Sequence, residues 1–385
     1  MSNWMIDASQ LDEEQRQFIY EESKKQKNIW IKGFPGSGKS VLLIHNVYDR
    51  IKENPNVTVA IIVFTHSLIQ LFKAAIKELN IPDKNIDLIT YHKFLKTNYT
   101  YDYIFCDEVQ DLPKSVLEEM KKRSKYLITA GDENQSIYEI NPATHEPTIN
   151  PSEIKMIIEN TYELHIVHRL TKSIMKSVSK LISYMNMLSA KTDRTKKDVS
   201  IRLAKAQNEK EEVEYILSIA EESIAMNENV AIILPTHQDI FKFINLVCNI
   251  KNKQQWQIVE NQWGKPDYYK LNKYLVNNQI NIEYIGNKYG NLFEAGQKGK
   301  IIIMTYHSSK GLDFDNVFLP FVNYDLKIGN ETLFMVGMTR SKQNLYLTYS
   351  STLHPFVSKF EDECTKIDIH NDINNTFDDF DDFDF

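Results

Sequence analysis

The chain has 385 residues, with 45 lysines and arginines against 52 acidic residues, a formal charge of −7. Ten of those acids and one base, Lys366, fall between Glu361 and Phe385, so residues 1–360 hold 44 bases against 42 acids. The totals exclude a membrane helix, since no apolar run approaches the roughly 18–20 residues needed, but a near-neutral body with one acidic end does not exclude a nucleic-acid partner.

In chain order, the N-terminus lacks the basic patch and apolar core of a signal peptide. Residues 12–26 read as an amphipathic helix capped by Ser9 or Asp12. Short apolar runs at 28–33, 57–64, 86–90, 103–107 and 126–131 then alternate with helical stretches. An irregular segment, 141–151, is followed by a helix-like one. The alternation resumes with runs at 199–203, 230–234, 280–285, 300–306, 317–322 and 344–349. Such alternation predicts βα units on parallel sheets. The expected architecture is α/β: two tandem domains, 1–160 and 161–358, and a poorly ordered acidic–aromatic tail, 359–385. Cys106, Cys248 and Cys364 are scattered, with neither metal-ligand spacing nor a disulfide frame, so a reducing cytoplasm is the expected setting.

The first chemical signal is Gly33-Phe34-Pro35-Gly36-Ser37-Gly38-Lys39-Ser40. It follows an apolar run and opens a helix, the context a phosphate-binding loop requires. Gly33, Gly36 and Gly38 let backbone N–H groups, including that of Ser37, close on phosphate oxygens, and the helix start adds positive potential. Lys39 reaches the β- and γ-phosphates of ATP, and the Ser40 hydroxyl suits Mg²⁺. A second acidic site comes from Asp107-Glu108 at the end of an apolar run. Asp107 suits the metal, and Glu108 is placed to accept a proton from an attacking water. The bland alternatives are a glycine-rich turn and a solvated strand cap; the two motifs together argue against both.

With these motifs the chain resembles the superfamily 1 helicases of the UvrD/Rep type. The likeness runs as an ordered series to about residue 350. Leu11-Asp12-Glu13-Glu14-Gln15 is similar to the family's adenine-reading segment, with Gln15 as reader. Phe64-Thr65-His66-Ser67 and Thr90-Tyr91-His92-Lys93 resemble two strand-binding motifs, implying nucleic-acid contacts from Phe64, Thr65, Thr90, Tyr91 and His92. Asp107-Glu108-Val109-Gln110-Asp111 is close to D-E-x-Q-D. Gly131 to Tyr138 is similar to G-D-x-x-Q-S-I-Y, which implies γ-phosphate sensing by Gln135 and a strand contact from Tyr138. His168-Arg169 resembles the start of the second domain, with His168 at the adenine and Arg169 at the phosphates. Thr305 to Phe314 is similar to the motif joining nucleotide to strand: Thr305, His307 and Ser308 on the strand, Gly311 and Asp313 on the nucleotide. Val336-Gly337-Met338-Thr339-Arg340 resembles the last motif, with Arg340 as a second finger. The resemblance implies two RecA-like P-loop NTPase domains with ATP between them, a single-stranded DNA track (RNA as the alternative) and 3′→5′ travel.

Several departures matter. Glu139-Ile140-Asn141 stand where the family carries a stacking aromatic, which leaves Phe64, Tyr91 and Tyr138 as stackers or as core. His168 replaces a tyrosine, Val41 an arginine, and Asp313 a longer glutamate. Few residues separate Phe94 from the run leading to Asp107, and residues 251–299 leave no room for a second accessory domain. Their aromatics and lysines form either a strand-binding surface or, more simply, an amphipathic helix. The resemblance is thus to a minimal motor lacking the accessory domains. The terminal Phe377 to Phe385 alternates aromatics with carboxylates and resembles the tips of single-stranded-DNA-binding proteins. Phe383, Asp384 and Phe385 would dock a partner; an autoinhibitory fold-back and a solubilising end are the alternatives. A nucleic-acid-stimulated ATPase switch within a repair, replication or defence complex is the competing function. A small-molecule kinase accounts for the glycine loop but not for Arg169 or the motifs after it.

Overall fold

The computed structural model describes residues 5–132, 136–141, 144–185, 187–192, 197–286 and 288–371. The chain forms two compact units, residues 2–170 with 189–194, and residues 171–188 with 195–385. Among the described residues no helix is long and apolar enough to cross a membrane.

The first unit is built on six parallel strands: β1 (Ile29–Gly33), β2 (Val59–Val63), β3 (Ile86–Thr90), β4 (Tyr101–Cys106), β5 (Ser124–Gly131) and β6 (Asn160–Leu164). Their order is β3-β2-β4-β5-β1-β6. Parallel neighbours need crossover connections, which the helices supply. The inner strand β2, Val-Ala-Ile-Ile-Val, is buried along its whole length, as a strand covered on both faces should be. Trp30, Ile62, Ile104, Phe94 and Leu117 meet in the core. The unit runs on to Leu170, past the boundary expected near 160, because Asn160–Leu164 pairs with β1 from Ile29↔Asn160 onward. That strand, Asn-Thr-Tyr-Glu-Leu, alternates half-buried with exposed residues. It is an edge strand without an apolar run, which hid it in the sequence. β7 (Ile166–Val167) and β8 (Lys191–Thr192) form a small pair of their own. Only residues 96–100 lie between the helix Tyr91–Leu95 and β4.

The N-terminal helix expected over 12–26 is shorter as an α-helix. It starts at the Asp12 cap as α1 (Glu13–Gln17) and continues through a wide turn, Phe18–Glu22, and a tight one, Ser23–Lys25.

The second unit carries seven parallel strands: β9 (Ser200–Lys205), β10 (Val230–Leu234), β11 (Ile282–Tyr284), β12 (Ile301–Thr305), β13 (Phe314–Leu319), β14 (Ser341–Tyr349) and β15 (Thr365–Asp368). Their order, β11-β12-β10-β13-β14-β9-β15, repeats that of the first sheet with β11 added at one edge. In residues 251–299 the helix Tyr268–Asn277 buries Tyr268, Leu271 and Leu275 and leaves Tyr269 and Lys270 exposed. This is the amphipathic arrangement of the simpler reading.

The tail expected from residue 359 is in part folded. β15 pairs with β9, and Ile369 is fully buried against Ala204 and Ala206. Ile367, in β15, packs against the same cluster, and these two isoleucines are a short signal outweighed in the sequence by the acids around them. Those acids have partners: Lys180 meets Asp362 at 2.6 Å and Glu363 at 2.7 Å. The described residues run through Asn371, and Phe383, Asp384 and Phe385 lie outside them.

One buried acid sets a pH dependence. Glu212 is fully buried; its Oε1 accepts from Phe321 N and from the Thr348 hydroxyl, each at 2.6 Å. Burial outweighs these bonds and pushes its pKa up to about 7. The folded state therefore binds this proton more tightly than the unfolded chain does. Its contribution to stability falls as pH rises from the ordinary glutamate value through about 7. Glu212→Gln is expected to be more stable than the parent at pH 8, by up to about 3 kcal/mol, and to lose that advantage at pH 5. Urea melts at the two pH values check this, and a constant difference between the proteins would refute it.

Candidate active site

β1 ends at Gly33, and the next helix, α2 (Lys39–Glu53), starts at Lys39. The turn between them depends on two left-handed glycines, Gly36 at φ +76° and Gly38 at φ +85°. Each also sits against a neighbour. A Cβ on Gly36 would stand 2.5 Å from the Cβ of Arg169, and one on Gly38 would stand 2.3 Å from Nε2 of Gln15. Ser37 is buried within the turn. Lys39 folds back over the loop, its Nζ donating to the carbonyls of Gly33 at 2.7 Å and Phe34 at 3.0 Å. Burial lowers the pKa of this ammonium against the pull of Asp132, Glu108 and Asp107.

The acid pair sits at the carboxyl end of β4, in the same sheet. Ser40 Oγ donates to Asp107 Oδ2 at 2.7 Å, so the two expected metal ligands are in contact. Asp107 is buried, and desolvation together with the Glu108 charge pushes its pKa up to about 7. A hydroxyl and a carboxylate are the hard oxygen donors that Mg²⁺ takes, usually with one or two carboxylates and the rest from phosphates and water. A cation there would also relieve the buried charge, so the residues fit the ion. Glu108 adopts φ +55°, unusual for a residue with a side chain. Gln110 Nε2 donates to Glu108 Oε2 at 2.6 Å, and Gln110 Oε1 accepts from the backbone N–H of Asp132 at 3.2 Å. Gln110 thus ties the candidate base to the end of β5, a role its place in the motif did not reveal. Asp111 Oδ1 accepts from Ile137 N at 3.2 Å and so fixes the segment after β5. Gln135 lies outside the described residues.

Gln15, His168 and Arg169 gather on the glycine loop. Gln15 is buried and donates from Nε2 to the Ser37 carbonyl at 3.1 Å. The backbone N–H groups of His168 and Arg169 both reach the Gly36 carbonyl, at 2.9 and 3.2 Å. The guanidinium of Arg169 keeps a buried Nε without a hydrogen-bond partner. Asp12, read in the sequence as a helix cap within the adenine-reading segment and given no role of its own there, joins the group: His168 Nε2 donates to Asp12 Oδ2 at 2.6 Å.

The strand-binding candidates of the first unit lie along the same sheet edge. Thr65 follows β2 and Thr90 ends β3. Each caps a helix, Thr65 Oγ1 accepting from Leu68 N at 3.3 Å and Thr90 Oγ1 from Lys93 N at 3.4 Å. Phe64 stacks on Tyr91 and on Tyr138, both at 5.2 Å between ring centres. Tyr91 is buried, with its hydroxyl on Asn141 Oδ1, while His92 is exposed and edge-on to Tyr91. Phe64 and Tyr138 are half-buried. The three rings therefore pack on one another, and Tyr91 belongs to the core.

The second unit repeats the threonine pattern. Thr305 ends β12 and accepts from Ser308 N at 3.2 Å; Thr236, after β10, accepts from Asp239 N at 3.2 Å. By sheet order β10 corresponds to β2 and β12 to β3, so Pro235-Thr236-His237 is the counterpart of Phe64-Thr65-His66. Only the sheet order shows this. His237 bonds the Tyr284 hydroxyl at 3.0 Å, and burial, with the charges of His237 and Lys310, lowers the pKa of His307. Gly311 takes φ +82°, and Asp313 lies 3.8 Å from the Lys342 ammonium. Arg340 is buried in its own unit. It donates to the carbonyls of Val336 at 2.8 Å and Leu312 at 3.0 Å, bracing the 310–313 turn.

Known proteins match the chain in both units. A family model described as the viral superfamily 1 RNA helicase core domain matches residues 29–240, and one for the UvrD-like helicase C-terminal domain matches residues 240–352. The ATP-dependent DNA helicase Rep of Buchnera aphidicola subsp. Schizaphis graminum is 29% identical over 131 residues, 31% of this chain and 19% of Rep. The chain thus spans about a fifth of the length of that relative. Among solved structures, the arterivirus nonstructural protein 10 helicase is 13% identical, with a TM-score of 0.43 over 89% of this chain and 64% of that one. The PRRSV helicase is 14% identical, with a TM-score of 0.45 over 86% and 54%. The core-domain match takes in more than half of the chain, and with the UvrD-like match beside it the chain belongs to the superfamily 1 helicases of the UvrD/Rep type, a family of NTP-hydrolysing enzymes.

Proposed function

We propose that the chain is an ATP- and Mg²⁺-dependent translocase or helicase on single-stranded DNA, travelling 3′→5′. The observation that carries the reading is the cluster of Lys39, Ser40, Asp107 and Glu108 at the carboxyl edge of one parallel sheet, where such sheets bind ligands. Phosphoryl transfer needs positioning and charge neutralisation more than covalent chemistry. Lys39 would exchange its loop carbonyls for phosphate oxygens. Glu108, held by Gln110, would take the proton of the attacking water. Arg169 would turn its guanidinium to the charge that develops. Mg²⁺, when bound by Ser40 and Asp107, would neutralise phosphate charge. The strand would run along the threonine-capped helix starts, whose N-termini favour phosphate.

The likeness to Rep supports DNA, whereas the core-domain match carries the description of RNA helicases. ATPase assays with single- and double-stranded DNA and RNA therefore form the test. Stimulation by single-stranded DNA is expected; no stimulation by either single strand sinks the reading. Directionality is read on duplexes tailed at one end or the other. A second reading, an ATPase switch without processive unwinding, is favoured by the short 96–100 connection and by Glu139-Ile140-Asn141 after Tyr138. Strong stimulation without strand displacement or translocation would select it. Docking of a partner by Phe383, Asp384 and Phe385 is tested by truncation before Phe377, with a lost pull-down partner as the expected result.

A further inference from the structure

Asp12 does more than start a helix. Its Oδ1 accepts from Gln15 N at 2.8 Å, and Gln15 Oε1 accepts from Asp12 N at 3.1 Å, a reciprocal cap. Its second oxygen, Oδ2, takes the His168 ring at 2.6 Å across 156 residues of sequence. Both partners also grip the glycine loop, Gln15 at the Ser37 carbonyl and His168 by its backbone at the Gly36 carbonyl. The bonds close a ring: Asp12, Gln15, the glycine loop, His168 and Asp12 again. A helix cap needs only one carboxylate oxygen, and Ser, Thr or Asn would serve as well. The second oxygen is what an aspartate adds. Burial raises the pKa of this carboxyl, but the His168 bond and the N–H groups of Gln15 and Glu14 outweigh it and hold the group below its ordinary value.

We infer that Asp12 is a positioning residue for the nucleotide site, a clasp that holds the His168 ring beside the glycine loop and thereby sets nucleotide affinity. The inference rests on the ATP-binding reading above and adds to it a residue and a route. With phosphates on the loop, the rest of a nucleotide extends past the side chains fixed around Gly36 to Gly38. His168 and Gln15 are two of these, and Asp12 orders both. A loose His168 ring would have to be ordered when the nucleotide binds, and preorganisation removes that loss.

Asp12→Ser keeps the cap but is too short to reach His168. Asp12→Asn keeps the cap through its Oδ1 and sets a neutral amide N–H against the ring in place of the anionic acceptor, so the charge-assisted bond is lost. Binding of a fluorescent N-methylanthraniloyl ATP to the full chain, read by anisotropy, is expected to weaken about tenfold in both variants, with melting temperatures near that of the parent. KM for ATP should rise in step while kcat stays within about threefold, because Lys39, Asp107 and Glu108 are untouched. His168→Ala should weaken binding similarly, and adding Asp12→Ser to it should weaken binding no further, since the clasp is already open. Parent-like binding in both Asp12 variants, or effects that multiply in the double variant, overturns the clasp alone. A parent protein that binds no ATP overturns the clasp and the ATPase reading together.

Discussion

Glu108→Gln is expected to bind ATP as tightly as the parent and to hydrolyse it about 10²–10⁴-fold more slowly, the usual worth of a positioned general base. The substitution is nearly isosteric. The backbone there is already committed: Glu108 sits at φ +55°, and its N–H donates to Asp107 Oδ1 at 3.0 Å. The side-chain amide oxygen of the substituted residue can still accept from Gln110, so the local frame should stand. What is lost is the capacity to take a proton from water. Strained backbone at a strand end, held by a dedicated partner, belongs at a site where geometry matters more than local comfort. Steady-state ATPase with saturating single-stranded DNA, set beside nucleotide binding, checks this. A variant retaining more than a tenth of the parent rate would remove Glu108 from the base role.

Arg169→Ala should lower kcat by about a thousandfold or more while changing ATP affinity little, as loss of a transition-state arginine does. The structure makes this a clean substitution. Alanine keeps the Cβ that lies close to Gly36 and keeps the backbone bond to the Gly36 carbonyl at 3.2 Å. What goes is the side chain beyond Cβ, with the guanidinium and its unpartnered buried Nε. Arg169→Lys should rescue poorly, since an ammonium lacks the planar fork that meets two phosphate oxygens. If the alanine variant turns over within tenfold of the parent, Arg169 is a structural brace of the loop instead.

Much of this site is legible in the sequence because its chemistry is local. The glycine loop and the acid pair are contiguous motifs, and each needs its own strand to end where it does. The apolar runs show as well, since inner parallel strands are apolar along their length. What stays hidden depends on distance or on edges. The clasp joins residues 12 and 168, and no spacing rule connects them. β6 and β15 are edge strands with half-polar faces, so the first reads as a boundary and the second as part of a tail. Gln110 sits inside a contiguous motif, yet its role depends on Glu108 turning left-handed, which composition does not show. The three stacked rings, Phe64, Tyr91 and Tyr138, are candidates for bases and for core alike. Burial assigns Tyr91 to the core and leaves the other two at its rim.

The repeated strand order carries a consequence for stoichiometry. In the first sheet the strand β1 leads into glycines, a lysine and a bare helix start. In the second sheet its counterpart, β9, leads through Ala206, Gln207 and Asn208 into the helix Glu209–Ala225, whose first turn carries Glu209, Glu211 and Glu212. The carboxylates of Glu209 and Glu211 at that helix start oppose the partial positive charge that would attract phosphate. The frame is duplicated but its electrostatics are not: one copy gathers anions and the other repels them at the same place. The expected stoichiometry is therefore one nucleotide per chain, bound at the end of β1 and not at the end of β9.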